Sequence, residues 1–400
     1  CGLDDALLDL ERLRFGSEEI DYLRSLNLFD DEFLSFLARL EFSGDVWAIP
    51  EGEAVFAQEP LLRVTAPLIE AQLLETFLIN CIGFQTLVAS KAARVTLACG
   101  GRSFADFSAR RDHGADAALK GARAAYVGGA ASTSMMLAGR LYGIPVTGTM
   151  AHSFVMTYPD EEQAFRAFAR AFPESAVLLI DTYDTVEGAR KAVRVAAELA
   201  SEGIRIRGVR LDSGNLEELA ASVRAELDDE GFNEIQIFAS GDLDEHAIAD
   251  LLAAGAPIDA FGVGTRLGTS EDAPNLGMVY KLVEDAAGPK IKLSSAKATP
   301  PGRKQVHRFV SGGHFDHDVI ALADEEQDGG RPLLEQVMAD GRRTSPSIPL
   351  LELQATCLES LDSLPENLRG LDGAAEDPYP VQLSKGLEGL LHELTRHHTG

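Results

Sequence analysis

AVLLIDTYDTVEGARKAVRVAAELASEGIRIRGVRLDSGN, residues 176–215, reads as a buried strand, a helix and a second buried strand. The apolar parts of AVLLI and IRIRGVRL are aliphatic and β-branched, as in strands covered on both faces, and each stops at a polar turn, DTYD or DSGN. Between them EGARKAVRVAAELASEG (187–203) carries the helical period. Outward from this unit the pattern recurs in FADFS (104–108), IPVTGTM (144–150), IQIFASGD (235–242) and AFGVGTRL (260–267), with NLEELAASVRAELDDEG (215–231) as a further helix. Runs of this kind alternating with helices predict parallel βα units, and an irregular TIM-like α/β barrel is the economical architecture.

In such a barrel the C-terminal ends of the strands open on one face, so residues distant in sequence converge there. The strand ends carry Phe107, Arg110 and Arg111; His152; Asp181 and Thr182; Arg210, Asp212, Ser213 and Gly214; Ser240, Gly241 and Asp242; and Gly262, Gly264 and Thr265. Arg102, Arg110, Arg111 and Arg123 read as a local basic patch for a small anion, set against a chain of formal charge −27. That overall charge excludes nucleic acid and anionic membrane as partners. No run is long enough for a membrane span and no signal peptide opens the sequence, which reads as soluble and cytoplasmic. Cys1, Cys81, Cys99 and Cys357 lack the spacing of a zinc site or a disulfide framework.

The barrel pattern is confined to the middle of the chain. Residues 1–90 read as leucine-rich helices, short strands and a long apolar helical stretch at 68–100 taken as a buried pair of helices. Past residue 270 the rhythm fades through AAGPKIKLSSAKATPPGRKQVHRF, and a few strands and a final helix follow. The expected organisation is a barrel over 91–270, beside a second mixed α+β domain made from 1–90 and 271–400.

His152, in GTMAHS, is the side chain best able to exchange protons or accept a phosphoryl group near neutral pH. Asp181, closing the neighbouring strand, can hold one ring nitrogen and raise the basicity of the other. Gly241, Asp242 and Gly262 to Thr265 leave backbone N–H groups free for a phosphate, with the following helices offering their positive ends. Asp212 suits ribose hydroxyls or Mg²⁺ held through water, although capping of the next helix would explain Asp212, Ser213 and Asn215 equally well. Arg210, two positions before Asp212 on the same strand face, is not explained by capping. Phe107 and Arg110 make a clamp for a flat anionic ring, by stacking and by a bidentate bond to a carboxylate. No set of metal-ligating side chains is read: HFDHD (314–318) has suggestive spacing but is taken for a solvated loop, and the terminal RHH for a frayed end.

DFSARRDHGADAALKGARAAYVGG, YGIPVTGTMAHSFV, LLIDTYDT, GVRLDSGN, FASGDLDE and PIDAFGVGTRL, followed by YKLVE and PGRKQV, resemble the nicotinate phosphoribosyltransferase family in this order over essentially the whole chain. The resemblance implies a type II phosphoribosyltransferase barrel with a mixed α/β domain, acting as a homodimer with the site at the interface. It implies that nicotinate and phosphoribosyl pyrophosphate give nicotinate mononucleotide and pyrophosphate, in NAD biosynthesis, with Mg²⁺ and with ATP hydrolysis coupled through a phosphohistidine. By motif, His152 matches the phosphorylated histidine and Asp181 its orienting carboxylate; Phe107 and Arg110 match the ring-stacking and carboxylate-binding residues. Arg210 and Asp212 match the pair meeting base and ribose, whereas Gly241, Asp242, Gly264 and Thr265 match the ribose and phosphate loops.

Three departures stand out. The family's opening D-L-Y-x-L-T-M segment, whose tyrosine stacks on the ring from the partner subunit, is absent before GLDDALLDLERLRF; Ser108 stands where glycine is common; and VGGAASTSMM replaces a loop usually holding an Asp and G-T-S-N. The competing readings are nicotinamide phosphoribosyltransferase and a non-catalytic nucleotide-binding barrel. The loop at 128–134 lacks the acid that would favour the amide, and the intact His152, Asp181 and Asp212 argue against lost catalysis. AVLLIDTYDT resembles the type I phosphoribosyltransferase fingerprint only superficially, because an adjacent acid pair is missing.

Overall fold

A computed structural model of the chain describes residues 1–293, 299–371 and 377–399, so that 294–298, in the middle of the stretch where the βα rhythm fades, lie outside the described residues. The chain divides into two units, Cys1–Thr86 with Asn275–Gly400, and Leu87–Pro274.

The first unit interleaves both ends of the chain. Helices Leu3–Glu11, Ser17–Ser25 and Asp31–Leu37 precede β1 (Asp45–Ala48) and β2 (Leu62–Thr65), which pair antiparallel. β1 also pairs with Glu335–Ala339, placing Val46 opposite Met338 in one core with Leu7, Leu10, Leu78 and Ile82. A second sheet is built on the antiparallel pair Lys304–Ser311 and His314–Leu322, whose apolar face packs Val306 and Ile320 with Leu333, Leu334 and Leu387. HFDHD is therefore a strand and not a solvated loop. Its register sets Asp318 opposite Arg308, and His317 stacks on Phe309 with ring centroids 4.4 Å apart. The terminal RHH is helical, in Lys385–Thr399, where basic residues in a last turn complement the helix dipole. The expected buried helix pair is half right: Leu68–Leu73 exposes Leu68, Ile69 and Leu73, and only Glu75–Ala98 carries the apolar run into a core.

Arg308 and Asp318 are fully buried and joined by three bonds, Nε to Oδ1 at 3.1 Å and to Oδ2 at 3.2 Å, and Nη2 to Oδ2 at 2.7 Å. Tyr379 donates its hydroxyl to the same carboxylate at 2.9 Å, and the guanidinium lies 4.3 Å from the Phe315 ring centroid and 5.3 Å from that of Phe56. Glu59 closes the cluster. Burial, and then the neighbouring Asp318 carboxylate, push the Glu59 carboxyl from its ordinary 4.5 up to about 9. Folding therefore favours its protonated form, so the contribution is complete below about pH 4.5 and is lost as pH rises towards 9. Glu59→Gln, which carries no such titration, is expected to gain stability over the parent steadily from acid to mildly alkaline pH. Parallel pH profiles of Tm for the two proteins would remove Glu59 from that role.

The second unit contains the parallel strands read from the sequence. β3 (Ser103–Asp106), β4 (Ser132–Thr133), β5 (Val177–Leu179), β6 (Gly208–Leu211), β7 (Gln236–Ala239) and β8 (Ala260–Val263) form one sheet in the order β4-β3-β8-β7-β6-β5. All pairings are parallel, and β3, the first strand, lies beside β8, the last. Five of the six runs are strands; IPVTGTM is not. It makes one isolated bridge, Val146 to Thr133, because Pro145 has no N–H to donate to a ladder. The two-residue β4, in the stretch read only as a loop, takes its place. Helices follow the strands with side-chain caps that stop the strand ends from continuing: Asp184 accepts from Glu187 N–H at 2.8 Å, and Asp244 from Ala247 N–H at 2.8 Å. The sheet curls far enough for residues past its β4 end to reach β6, where Arg210 Nη1 donates to Thr149 Oγ1 at 2.6 Å. Among the described residues no helix is long and apolar enough to cross a membrane.

Candidate active site

The curl brings His152 and Asp212 together. His152 opens the short helix His152–Met156, and its Nδ1 lies 3.2 Å from Thr182 Oγ1, just beyond β5. Its Nε2 lies 3.6 Å from Asp212 Oδ2 and 3.9 Å from Asp181 Oδ1. The expected orienting role of Asp181 is thus shared out. The hydroxyl of Thr182 is the hydrogen-bond partner that fixes the ring, whereas Asp181 is turned to the next strand, accepting Asp212 N–H and Ser213 Oγ–H on Oδ2, both at 2.9 Å. The Asp181 side chain is almost wholly buried, and its Oδ1 has no hydrogen-bond partner among the described residues.

Arg210 is the hub of the site. Besides Thr149 it donates Nε to Ser240 Oγ at 2.7 Å and Nη2 to Asp212 Oδ1 at 2.5 Å, and its guanidinium lies 5.6 Å from the Phe107 ring centroid. Ser240 also donates to Asp212 Oδ1, at 2.5 Å. Burial alone would raise the Asp212 carboxyl, but the hydrogen bond from Ser240 and the charge and hydrogen bond of Arg210, with His152 adding a little, hold it below the ordinary aspartate range. Asp212 is therefore an anion fixed in place. Neither Asp212 nor Ser213 caps the following helix, since Asn215 does so.

The glycines divide between two tasks. Gly241 has φ +99°, and a Cβ there would sit 2.0 Å from Asp212 O, so the β7 turn closes directly on the β6 turn and only glycine fits. Gly262 serves Phe107 instead of an anion: a Cβ would meet the ring at 2.6 Å. The expected helix dipoles contribute little. The turn at Gly241–Asp242 leads to a helix whose first N–H groups are already capped by Asp244, itself paired with Arg266, and Gly264 precedes only the single turn Thr265–Gly268. What remains at both turns is a set of backbone N–H groups.

The basic patch is smaller than expected. Arg102 precedes β3 and donates to Ile258 O at 2.8 Å, and Arg123 is buried within Ala115–Val127, so Arg110 and Arg111 alone stand exposed beyond the strand's C-terminal end. Thr149 and Asp106 were not singled out in the sequence. Asp106 ends β3 buried at 1% exposure, accepting Ser108 N–H at 2.9 Å and Thr133 Oγ–H at 2.8 Å, and so ties the Phe107 turn to β4. An acid inside the apolar run FADF was the available signal.

The family model for the nicotinate phosphoribosyltransferase N-terminal domain matches residues 1–83, and that for the nicotinate phosphoribosyltransferase family matches residues 102–292. Nicotinate phosphoribosyltransferase pncB2 of Mycobacterium tuberculosis is 48% identical over 98% of this chain and 84% of its own length. Nicotinate phosphoribosyltransferase of Bacillus subtilis is 45% identical over 82% of this chain and 68% of its own. Among solved structures, human nicotinic acid phosphoribosyltransferase superposes with a TM-score of 0.86 at 29% identity, covering 98% of this chain and 91% of that one. Nicotinate-nucleotide pyrophosphorylase of Pyrococcus furiosus gives 0.71 at 27% identity, covering 83% and 84%.

Proposed function

The chain belongs to the nicotinate phosphoribosyltransferase family and is an enzyme of that activity, a step of NAD biosynthesis, and from that premise we propose how its residues carry the reaction. Nicotinate stacks on Phe107, with its carboxylate on Arg110 and its ring beside Arg210. The ribose hydroxyls of phosphoribosyl pyrophosphate meet Asp212 and Ser213, and its phosphates meet the N–H groups of Gly241, Asp242, Gly264 and Thr265. The ring nitrogen attacks the anomeric carbon while the bond from that carbon to the pyrophosphate oxygen breaks, its electron pair leaving with pyrophosphate. Positive charge develops on the ribose in between. The observation that carries this reading is the anionic Asp212, pinned by Arg210 and Ser240 before any substrate arrives, since a prepositioned charge needs no reorganisation during the reaction.

ATP coupling is assigned to His152. With Nδ1 directed at Thr182, Nε2 is left without a hydrogen bond, on a side chain 39% exposed. Nε2 takes the terminal phosphoryl group of ATP as the bond to the ADP oxygen breaks, and water later releases phosphate. Mg²⁺ fits the same place: Asp181 Oδ1 is a buried acceptor without a donor, and Asp212 Oδ2 lies on the same histidine nitrogen. The ion would come in on the substrate phosphates, where it would offset their charge.

The same reading takes the curled sheet as an irregular TIM-like barrel over 91–270, with 1–90 and 271–400 as a second domain. It takes the enzyme as a cytoplasmic homodimer with the site at the interface. Exposed Met136, Leu137, Leu141 and Val146 around the β4 edge support a subunit contact.

The test is to incubate the chain with Mg²⁺, phosphoribosyl pyrophosphate and either nicotinate or nicotinamide, with and without ATP, and to quantify the mononucleotide. Nicotinate-dependent product raised by ATP is expected; equal product from the amide would overturn the acid-binding assignment. Arg110, exposed and with no carboxylate partner among the described residues, is expected to matter most for that preference. Arg110→Ala should raise KM for nicotinate by one to two orders of magnitude, roughly 1.5–3 kcal/mol for a charged hydrogen bond, and leave KM for phosphoribosyl pyrophosphate in place. An unchanged nicotinate KM takes Arg110 out of the site.

A further inference from the structure

Ser108, one of the departures from the family pattern, is not a passive replacement. It is 1% exposed, and its Oγ donates to Asp112 Oδ2 at 3.2 Å, across the turn that carries Phe107 and Arg110. The other oxygen, Asp112 Oδ1, is buried with no hydrogen-bond partner among the described residues. Both side chains lie on the bare backbone of Gly268, where a Cβ would fall 1.9 Å from Asp112 Oδ1 and 2.5 Å from Ser108 Cβ. Gly268 ends the turn that begins at Gly264 and Thr265. Phe107 N–H donates to Val263 O at 2.8 Å, one residue before that turn.

We propose that Ser108 and Asp112 are positioning residues whose hydrogen-bonded pair seats the nicotinate turn, Phe107–Arg111, on the phosphate turn, Gly264–Gly268. The pair thereby sets the spacing between the base and phosphate sites, and it rests on the assignment of those sites made above.

The seat depends on a proton. A neutral carboxyl tolerates one oxygen without a donor far better than an anion does. Burial, and then the charge of Asp106 at the end of β3, push Asp112 up to about 6, with the Ser108 hydrogen bond and the charge of His113 opposing. Those are the charged groups whose fields reach it; Arg266, on the packed turn, is held by Asp244 and Glu271. As pH rises past about 6, ionised Asp112 faces Asp106 with no added partner, the seat loosens, and nicotinate binding weakens.

The test compares the parent with Asp112→Asn, which keeps the shape and the Ser108 contact but cannot ionise. The ratio of their nicotinate KM values is expected to rise at least roughly threefold between about pH 5.5 and 7.5, with kcat nearly unchanged. Substrate phosphates also titrate near pH 6, but they act on both proteins and cancel in the ratio. Gly268→Ala, which places a methyl where Asp112 Oδ1 lies, should raise nicotinate KM at every pH and add little on top of Asp112→Ala. A flat KM ratio, or full additivity of those two changes, overturns the proposal.

A second readout separates failure of the seat from failure of the site assignment. Amide exchange at Phe107, Ser108 and Arg111, corrected for intrinsic rates, should quicken across the same pH range in the parent and not in Asp112→Asn. If it does so while Arg110→Ala leaves nicotinate KM unchanged, the seat stands and the base assignment falls. If exchange is the same in both proteins, the seat falls.

Discussion

Asp212→Ala is expected to lower nicotinate mononucleotide formation without ATP by about three orders of magnitude in kcat/KM, about 4 kcal/mol of transition-state stabilisation. His152→Ala, one contact away, should keep that basal rate and lose the stimulation by ATP. The two side chains are neighbours, with 3.6 Å between Nε2 and Oδ2, yet the geometry gives them different partners. Asp212 is built into the β6–β7 scaffold through Arg210, Ser240 and its own N–H on Asp181, so its charge is available at all times to a cationic ribose. His152 is held by one hydroxyl and is otherwise open. Asp212→Asn keeps the shape but not the charge, and should recover little. Product should be measured for each variant with and without ATP at saturating phosphoribosyl pyrophosphate. If His152→Ala were as inactive as Asp212→Ala without ATP, the division of roles would be wrong.

The strand-end inventory found this constellation because the period and composition of βα units fix which residues share the C-terminal face, whatever lies between them. Arg210, Asp212, Ser240, Phe107, His152 and Thr182 all come from that inventory, and the structure joins them. Partnering within the set was less legible. Asp181 looked like the carboxylate for His152 because it closes an adjacent strand, but a one-residue difference along the turn gives the imidazole to Thr182 and leaves Asp181 to bind Asp212 N–H. The role of Gly262 was hidden for a similar reason: glycine marks a close approach without saying whether a phosphate or, as here, an aromatic ring is what approaches. Asp106 was signalled only by its place inside an apolar run, and Asp112 was illegible, since its partner Ser108 lies across a turn whose conformation no local pattern specifies.

The first unit was harder to read because β1 finds a strand partner near the other end of the chain, Val46 lying opposite Met338, and the second large prediction comes from this unit's buried ion pair. Asp318→Ala should cost roughly 3–5 kcal/mol of stability, the range for stranding one member of a buried ion pair. Arg308 would be left wholly buried, with Glu53 at 3.5 Å and the Glu59 carboxyl as its neighbouring acids among the described residues and the Phe56 and Phe315 rings beside it. A guanidinium cannot shed its charge to escape, whereas a carboxylate left behind by Arg308→Met can take up a proton as pH falls. The two deficits should therefore respond differently to pH. That of Arg308→Met shrinks in acid, and that of Asp318→Ala does not. Trp47, the chain's one tryptophan, packs on the core beside this cluster, so urea unfolding followed by its fluorescence reports on this unit directly. A loss below about 1 kcal/mol for Asp318→Ala would mean that water reaches Arg308, and that the pair is a surface contact in energetic terms despite its burial.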